Sequence, residues 1–182
     1  IANGELVIVG EVCMSLCISN GDLCGIEELE GLSRFAETLR WGHGVVWSKK
    51  HKLLLFVGGT AEDGTVLRSV VAYDASQGPG NGVWKKFPPL AIRRRLAGVT
   101  LIDDSTLFVC GGESIERDRK ELLVEDNPGK ALQTAAILHL DSGTWEEMPP
   151  MLSRRQGCKA VTIRDKNGRP FVVVAGGMSS LQ

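Results

Sequence analysis

A run of apolar residues that ends in a glycine pair occurs three times in the 182-residue chain, as Leu53–Gly59, Leu107–Gly112 and Phe171–Gly177. β-Branched and aromatic residues favour buried strands, and glycine accepts the positive φ that other residues avoid. Each copy therefore predicts a strand followed by a sharp bend. The first glycines of successive pairs lie 53 and 65 residues apart, a longer period than that of leucine-rich, ankyrin or TPR repeats.

The residues around the glycine pairs predict two complete units, residues 40–92 and 93–152, each with four strands. Each unit opens with an arginine-containing turn, and its fourth strand contains a tryptophan near its start and is followed by Pro-Pro. The sequence matches Asp74 with Asp141, so that Leu140 stands where the first unit has Tyr73. Residues 153–182 hold the first two strands of a further unit.

Residues 1–39 read as a degenerate unit that holds the second, third and fourth strands, the first of them at Gly4–Val9. Two more strands are expected between residues 13 and 39, the second of them near Leu32–Phe35. Glu27–Glu30 could instead open a helical turn.

The order Gly-Gly, Tyr-Asp, Trp, Pro-Pro and Arg-x-Gly resembles the kelch repeat over residues 40–177. The resemblance implies an all-β fold, namely a kelch-type β-propeller of four-stranded antiparallel blades, of which about three are present. The WD40 propeller is the alternative, but no Trp-Asp pair occurs in the chain. The resemblance assigns a structural role in the repeat to Gly58, Gly59, Tyr73, Trp84, Gly111, Gly112, Trp145, Gly176 and Gly177.

Composition narrows the classes of partner and compartment. The net charge of −1 gives no general attraction to nucleic acid, and no apolar run approaches the length of a membrane span. Five cysteines and no N-glycosylation acceptor favour a reducing, cytoplasmic setting. The cysteines and histidines lack the spacing of a metal site, so we expect no metal and no cofactor. Cys110 is expected to be a small buried hydrophobe.

The kelch resemblance implies a protein-interaction module whose partner lies against the loops after the second strands and between units. Arg95 and Arg155 match each other in the repeat, whereas neighbouring arginines exceed what the repeat requires. Guanidinium groups pair with carboxylates, so an acidic protein or peptide is the expected partner, as for a substrate adaptor. A plain solvated charge cluster is the alternative. The candidate partner-binding residues are Arg93, Arg94 and Arg154, with Glu113, Arg117 and Arg119 from the long loop 113–134.

A structural subunit and an enzyme are the two alternative functions. A structural subunit would differ by having a permanent partner. A copper-oxidase propeller needs tyrosines, and Tyr73 is the only one, while no hydrolase, phosphate-binding or metalloprotease motif occurs. No catalytic residue is therefore predicted. Thirteen predicted strands do not fill whole four-stranded blades, so we expect the remaining blades in omitted sequence or in another chain.

Overall fold

The computed structural model describes residues 4–8, 14–19 and 22–28 as backbone strands, and residues 40–77, 82–115 and 129–179 with their side chains. These described residues contain strands and no helix. The strands are β1 Gly4–Ile8, β2 Met14–Ser19, β3 Asp22–Glu28, β4 Arg40–Trp41, β5 Gly44–Ser48, β6 Leu53–Val57, β7 Thr60–Ala61, β8 Val70–Asp74, β9 Val83–Phe87, β10 Gly98–Asp103, β11 Thr106–Cys110, β12 Glu113–Ser114, β13 Lys130–Ala131, β14 Ala135–His139, β15 Thr144–Met148, β16 Gln156–Arg164 and β17 Pro170–Met178.

The longer strands form antiparallel sheets in chain order. Sheet I contains β5-β6-β8-β9, sheet II contains β10-β11-β14-β15, and β16 and β17 form a hairpin. β1, β2 and β3 form a three-stranded sheet, and the short pairs β4–β7 and β12–β13 are ladders of their own. The predicted all-β class with four-stranded antiparallel sheets is confirmed, while the short ladders were not predicted.

The structure tests the helical alternative in the first segment at two residues. Glu27 and Glu28 end β3, where they pair with Ser15 and Met14 of β2. The alternative helical turn is therefore wrong at these two residues, because both belong to a ladder. The strand expected near Leu32–Phe35 lies outside the described residues.

The main core lies between sheets I and II. Leu55 and Val57 of β6 face Leu107 and Val109 of β11, and Leu138 joins them from β14. Phe56 points to the opposite face of sheet I, where it is fully buried with Val71 and Tyr73. Inner strands with both faces covered need apolar residues at every position, which explains why β6 and β11 are unbroken apolar runs.

The first two glycine pairs directly follow β6 and β11, as predicted. The expected stop is wrong for the third pair, because Gly176 and Gly177 lie within β17, which continues to Met178 through pairing with Gln156. All six glycines have φ between 59° and 98°, as the sequence predicts. The side chains of Arg40, Arg94 and Arg155 donate to the carbonyl oxygens of Gly58, Gly111 and Gly176, at 3.0, 3.0 and 2.8 Å.

The same arginines join neighbouring units through their backbone. The N–H of Gly59 donates to the carbonyl of Arg94 at 2.9 Å, and that of Gly112 donates to the carbonyl of Arg155 at 2.7 Å. Arg94 thus binds the glycine pair of its own unit with its side chain and the preceding pair with its carbonyl. The arginine that recurs in phase with Arg155 is Arg94, so the match of Arg95 with Arg155 is wrong by one residue.

Strand register corrects two other matches. Tyr73 pairs with Trp84, and Leu138 pairs with Trp145, so the counterpart of Tyr73 is Leu138 and not Leu140. By the same register, Asp74 corresponds to His139 and not to Asp141. The tryptophans do occupy equivalent places in the fourth strands, but both are half-buried because each lies on an outer strand of its sheet.

Candidate functional site

The packed arrangement of sheet I, sheet II and the hairpin has two ends with different chemistry. At the end where the glycine pairs lie, here called the glycine end, the loops after the second strands meet the segments that join one unit to the next. At the other end, here called the turn end, lie the hairpin turns between β5 and β6, β10 and β11, and β14 and β15.

At the glycine end, an exposed tryptophan lies under an arginine that an ion pair holds in place. The guanidinium carbon of Arg95 lies 4.6 Å from the ring centroid of Trp41, and the side chain of Trp41 is 52% exposed. Nε of Arg95 donates to a carboxylate oxygen of Glu113 at 2.6 Å, and Glu113 is buried. A cation held over an indole face is attractive, and the buried carboxylate fixes the cation in place. We call these three residues the Trp41 cluster.

Backbone pairing positions each member of the Trp41 cluster. Trp41 pairs with Thr60 in the β4–β7 ladder, and Arg95 pairs with Glu113 through hydrogen bonds of 3.0 and 2.8 Å. Leu96 adopts a positive φ of 54°, and its N–H donates to the carbonyl of Gly42 at 2.6 Å. This bond joins the turn that carries Arg95 to the turn that carries Trp41, so the two side chains come from different units.

Arg94 is a structural residue, although the sequence placed it among the partner-binding arginines. It is 3% exposed, and it donates to the carbonyl of Gly111 as well as to the carbonyl and hydroxyl oxygens of Thr134. Burial lowers the pKa of Arg94 to about 10, so the side chain stays charged at neutral pH. A guanidinium engaged in this way offers no surface to a partner.

The remaining predicted residues fall into three groups. Arg93 and Arg154 are exposed, each directly before a buried or half-buried structural arginine at the glycine end. Arg154 donates to the carbonyl of Ala131 at 3.2 Å. Glu113 lies in the Trp41 cluster, whereas Arg117 and Arg119 lie outside the described residues.

Sequence reasoning missed Trp41 and misassigned Arg95. One signal was present, since the residue between the structural arginine and the positive-φ position varies between units as Trp41, Arg95 and Gln156. A position whose residue type varies while its neighbours recur is not fixed by the requirements of the repeat. Its side chain can therefore serve a function.

The turn end carries an open polar depression of about 680 Å³. His51 Nε2 lies 3.0 Å from Ser105 Oγ and 3.4 Å from a carboxylate oxygen of Asp141, and Lys50 Nζ contacts the same two groups. A hydrolase relay uses both ring nitrogens of histidine, one toward the serine and one toward the carboxylate. Here one nitrogen faces both groups, so the arrangement is a charge network and not a relay. The depression is lined by Lys50, Asp103, Asp104, Ser105, Thr106, His139, Asp141, Ser142 and Arg164.

Two further features bear on the chemistry of the site. Among the side chains that the structure describes, no group of three or more His, Cys, Asp or Glu residues is placed to hold a metal ion. His43 lies beside Phe56, and burial, with Arg40 as a second cause, lowers the pKa of His43. His43 is therefore neutral at physiological pH and packs as an apolar ring.

The comparisons with known proteins leave the family open. No family model matches the chain, and no curated protein is significantly similar to it. Within the described ranges, no helix is long and apolar enough to cross a membrane.

Proposed function

We propose that the chain is part of a kelch-type β-propeller. Sheets I and II pack face to face, and the hairpin packs on the far side of sheet II. The first strands of these units, β5, β10 and β16, lie next to one another in that order. Successive units are also joined by equivalent hydrogen bonds from glycine pair to arginine. Equivalent units stacked around neighbouring first strands support a propeller arrangement.

We infer that this propeller is a protein-interaction module that binds an acidic peptide segment at the glycine end. The observation that carries the inference is the Trp41 cluster. Trp and Arg are the residues most enriched among interface hot spots, and a side chain held in place before binding loses less entropy on binding. The ion pair with Glu113 holds the guanidinium of Arg95 over the indole of Trp41 in that way.

The charge of the glycine end supports an acidic partner. Arg93 and Arg154 are exposed there at equivalent positions of two units. Guanidinium groups at two such places can pair with carboxylates spaced along one extended segment. The carboxylate of Glu113 is buried against Arg95, so it does not oppose an acidic ligand at the surface.

Panning a random peptide library against the purified chain tests this function. We expect the recovered peptides to be enriched in Asp and Glu, and to bind Trp41→Ala or the double variant Arg93→Ala/Arg154→Ala about tenfold more weakly than the wild type. Trp47→Ala is the matched control, because Trp47 is 45% exposed and lies toward the turn end of β5. Equal affinity for the wild type and Trp41→Ala, or recovered peptides without acidic enrichment, would contradict the proposal.

A structural subunit is the second candidate function, and one observation favours it. The outer face of the hairpin exposes Val161, Ile163, Phe171 and Val173, which form an apolar surface. Such a surface suits a permanent neighbour better than a transient peptide. An association that persists through dilution would favour this candidate.

A further inference from the structure

Two free thiols lie side by side between sheet II and the hairpin. Cys110 ends β11, Cys158 lies near the start of β16, and their side chains are 0% and 1% exposed. Both belong to one apolar cluster, in which Sγ of Cys158 lies 3.9 Å from the carbonyl oxygen of Cys110. The chain separation of 48 residues hides this pairing from the sequence.

Two glycines make the room for the thiols. A Cβ atom at Gly98 would stand 3.0 Å from Sγ of Cys110 and 3.3 Å from Cβ of Ala160 on β16. A Cβ atom at Gly111 would stand 3.1 Å from Sγ of Cys158. The missing side chains let a cysteine from sheet II and a cysteine from the hairpin reach the same small space.

The surroundings of the two thiols are cationic. Nε of the buried Arg94 has no hydrogen-bond partner, and the charge of Arg94 acts on both cysteines. Arg155 adds a second positive charge beside Cys110. The contact between the thiols raises the pKa of Cys110, and the Cys110 thiol lowers the pKa of Cys158 to about 6. The two positive charges favour the loss of a proton from this pair of thiols, and the thiolate is the reactive form of cysteine.

We propose that Cys110 and Cys158 are an oxidation site that reacts with hydroperoxides and closes to a disulfide between β11 and β16. The Cys158 thiolate attacks the terminal oxygen of hydrogen peroxide, the O–O bond breaks, and a proton is taken up, which gives the Cys158 sulfenic acid and one water. Sγ of Cys110 then attacks the sulfenic sulfur and loses its proton, which gives the disulfide and a second water. The two thiols lose two electrons, and the peroxide gains them.

Opening of the hairpin would let the oxidant reach Cys158, and the disulfide would then prevent further opening. A two-stranded hairpin opens more readily than a four-stranded sheet, so a molecule as small as peroxide can reach Cys158 during brief openings. Once formed, the disulfide ties the hairpin to sheet II and prevents that opening. Oxidation would thus protect the amides of β16 and β17 from hydrogen exchange.

Tryptic mapping of the peroxide-treated chain tests the proposal directly. Cleavage after Arg and Lys places Cys110 on peptide 96–117 and Cys158 on peptide 156–159, while Cys13, Cys17 and Cys24 share peptide 1–34. We expect a crosslink between the first two peptides that dithiothreitol reverses, with the other three of the five cysteines still open to alkylation. The control is the same chain oxidised in guanidinium chloride, where no packing selects this pair.

Two outcomes would overturn the proposal. One is a folded, peroxide-treated chain in which Cys110 and Cys158 both remain fully open to alkylation after unfolding. The other comes from Cys110→Ser, which removes the thiol that closes the disulfide and should leave a sulfenic acid on Cys158 that dimedone traps. A folded Cys110→Ser chain without dimedone adduct on Cys158 would show that peroxide does not attack this residue.

Discussion

Arg93 and Arg94 are adjacent in the chain and opposite in environment, which makes them a matched pair for a stability test. Arg94→Ala leaves the buried carbonyl of Gly111 without its side-chain donor and removes one of the two donors to the carbonyl of Thr134, which keeps the hydrogen bond from the N–H of Gly111. We expect a loss of about 3 kcal/mol in the free energy of unfolding for Arg94→Ala, and a change within about 0.5 kcal/mol for Arg93→Ala. Denaturant unfolding measures both. Equal midpoints for the two variants would contradict the structural role of Arg94.

The ion pair of Asp74 with Lys85 predicts a dependence of stability on acid pH. Lys85 Nζ lies 2.6 Å from the carboxylate, and this hydrogen bond, aided by the backbone N–H of Ser76, lowers the pKa of Asp74 from 3.8 to about 2. A carboxyl whose pKa is lower in the folded state stabilises the fold above its unfolded pKa, and that contribution is lost as the pH falls through the folded pKa.

The measurement compares the wild type with Asp74→Asn. Because Lys85 is half-exposed and water screens the pair, we expect the wild type to lose about 1 kcal/mol more than Asp74→Asn between pH 4 and pH 2. Salt should reduce the difference. Parallel pH profiles for the two proteins would show that the ion pair does not contribute.

The same residues show why single positions were misread from the sequence. His139 occupies the place of Asp74, and its cross-strand neighbour is Glu146 at 3.4 Å where Asp74 has Lys85, so the acidic residue lies on the third strand in one unit and on the fourth strand in the other. A match by residue type selects Asp141 instead. Only the hydrogen-bonded register reveals that the contact is retained while the acidic residue changes strand.

At the scale of elements, the first two glycine pairs bind the segment that opens the next unit. The space around each glycine differs from one pair to another. A Cβ atom at Gly58 would overlap the carbonyl oxygen of Arg94, whereas a Cβ atom at Gly176 would meet nothing within 4 Å. Both glycines have positive φ, at 60° and 68°. Gly176→Ala therefore adds only backbone strain, and Gly58→Ala adds a steric clash with the next unit.

We expect Gly176→Ala to cost about 1 kcal/mol in the free energy of unfolding and Gly58→Ala roughly 3 kcal/mol or more. Chemical denaturation of the two variants checks the difference. If Gly176→Ala were the more damaging, the contact of Gly58 with the arginine of the next unit would not be important to the fold.

The main strands could be predicted from the sequence, because each combines an apolar run with a strong stop signal such as Gly-Gly or Pro-Pro. β4, β7, β12 and β13 could not, since two-residue ladders exist only through contacts with a distant partner. The helical alternative at Glu27–Glu30 arose from local preference, and the pairing of β3 with β2 overrides it at Glu27 and Glu28.

At the scale of the whole molecule, the candidate site is formed by residues that the chain order separates. Trp41 opens one unit and Arg95 opens the next, so their contact depends on how the units stack. Exposed arginines near the glycine end could be predicted from the excess of charge over the repeat. Which of them are free to bind could not, because a shift of one residue separates the buried Arg94 from the exposed Arg93.

At the scale of the whole molecule, the outer face of the hairpin is an apolar surface that no other described residue covers. Val161 pairs with Val173 and Ile163 pairs with Phe171, and these four side chains are 40–53% exposed. A contiguous apolar patch of this kind favours association. We expect light scattering of the purified chain to rise with concentration, and the double variant Ile163→Lys/Val173→Glu to suppress that rise.

The double variant should keep its free energy of unfolding within about 0.5 kcal/mol of the wild type, because both side chains point away from the core that joins the hairpin to sheet II. Val83→Lys is the control, since Val83 is 61% exposed on β9 and lies outside the patch. If Val83→Lys suppressed association equally, the placing of a charge on any exposed apolar site, and not the hairpin face in particular, would be the cause. A wild-type chain that scatters as a monomer at every concentration would show that the exposed face does not drive association.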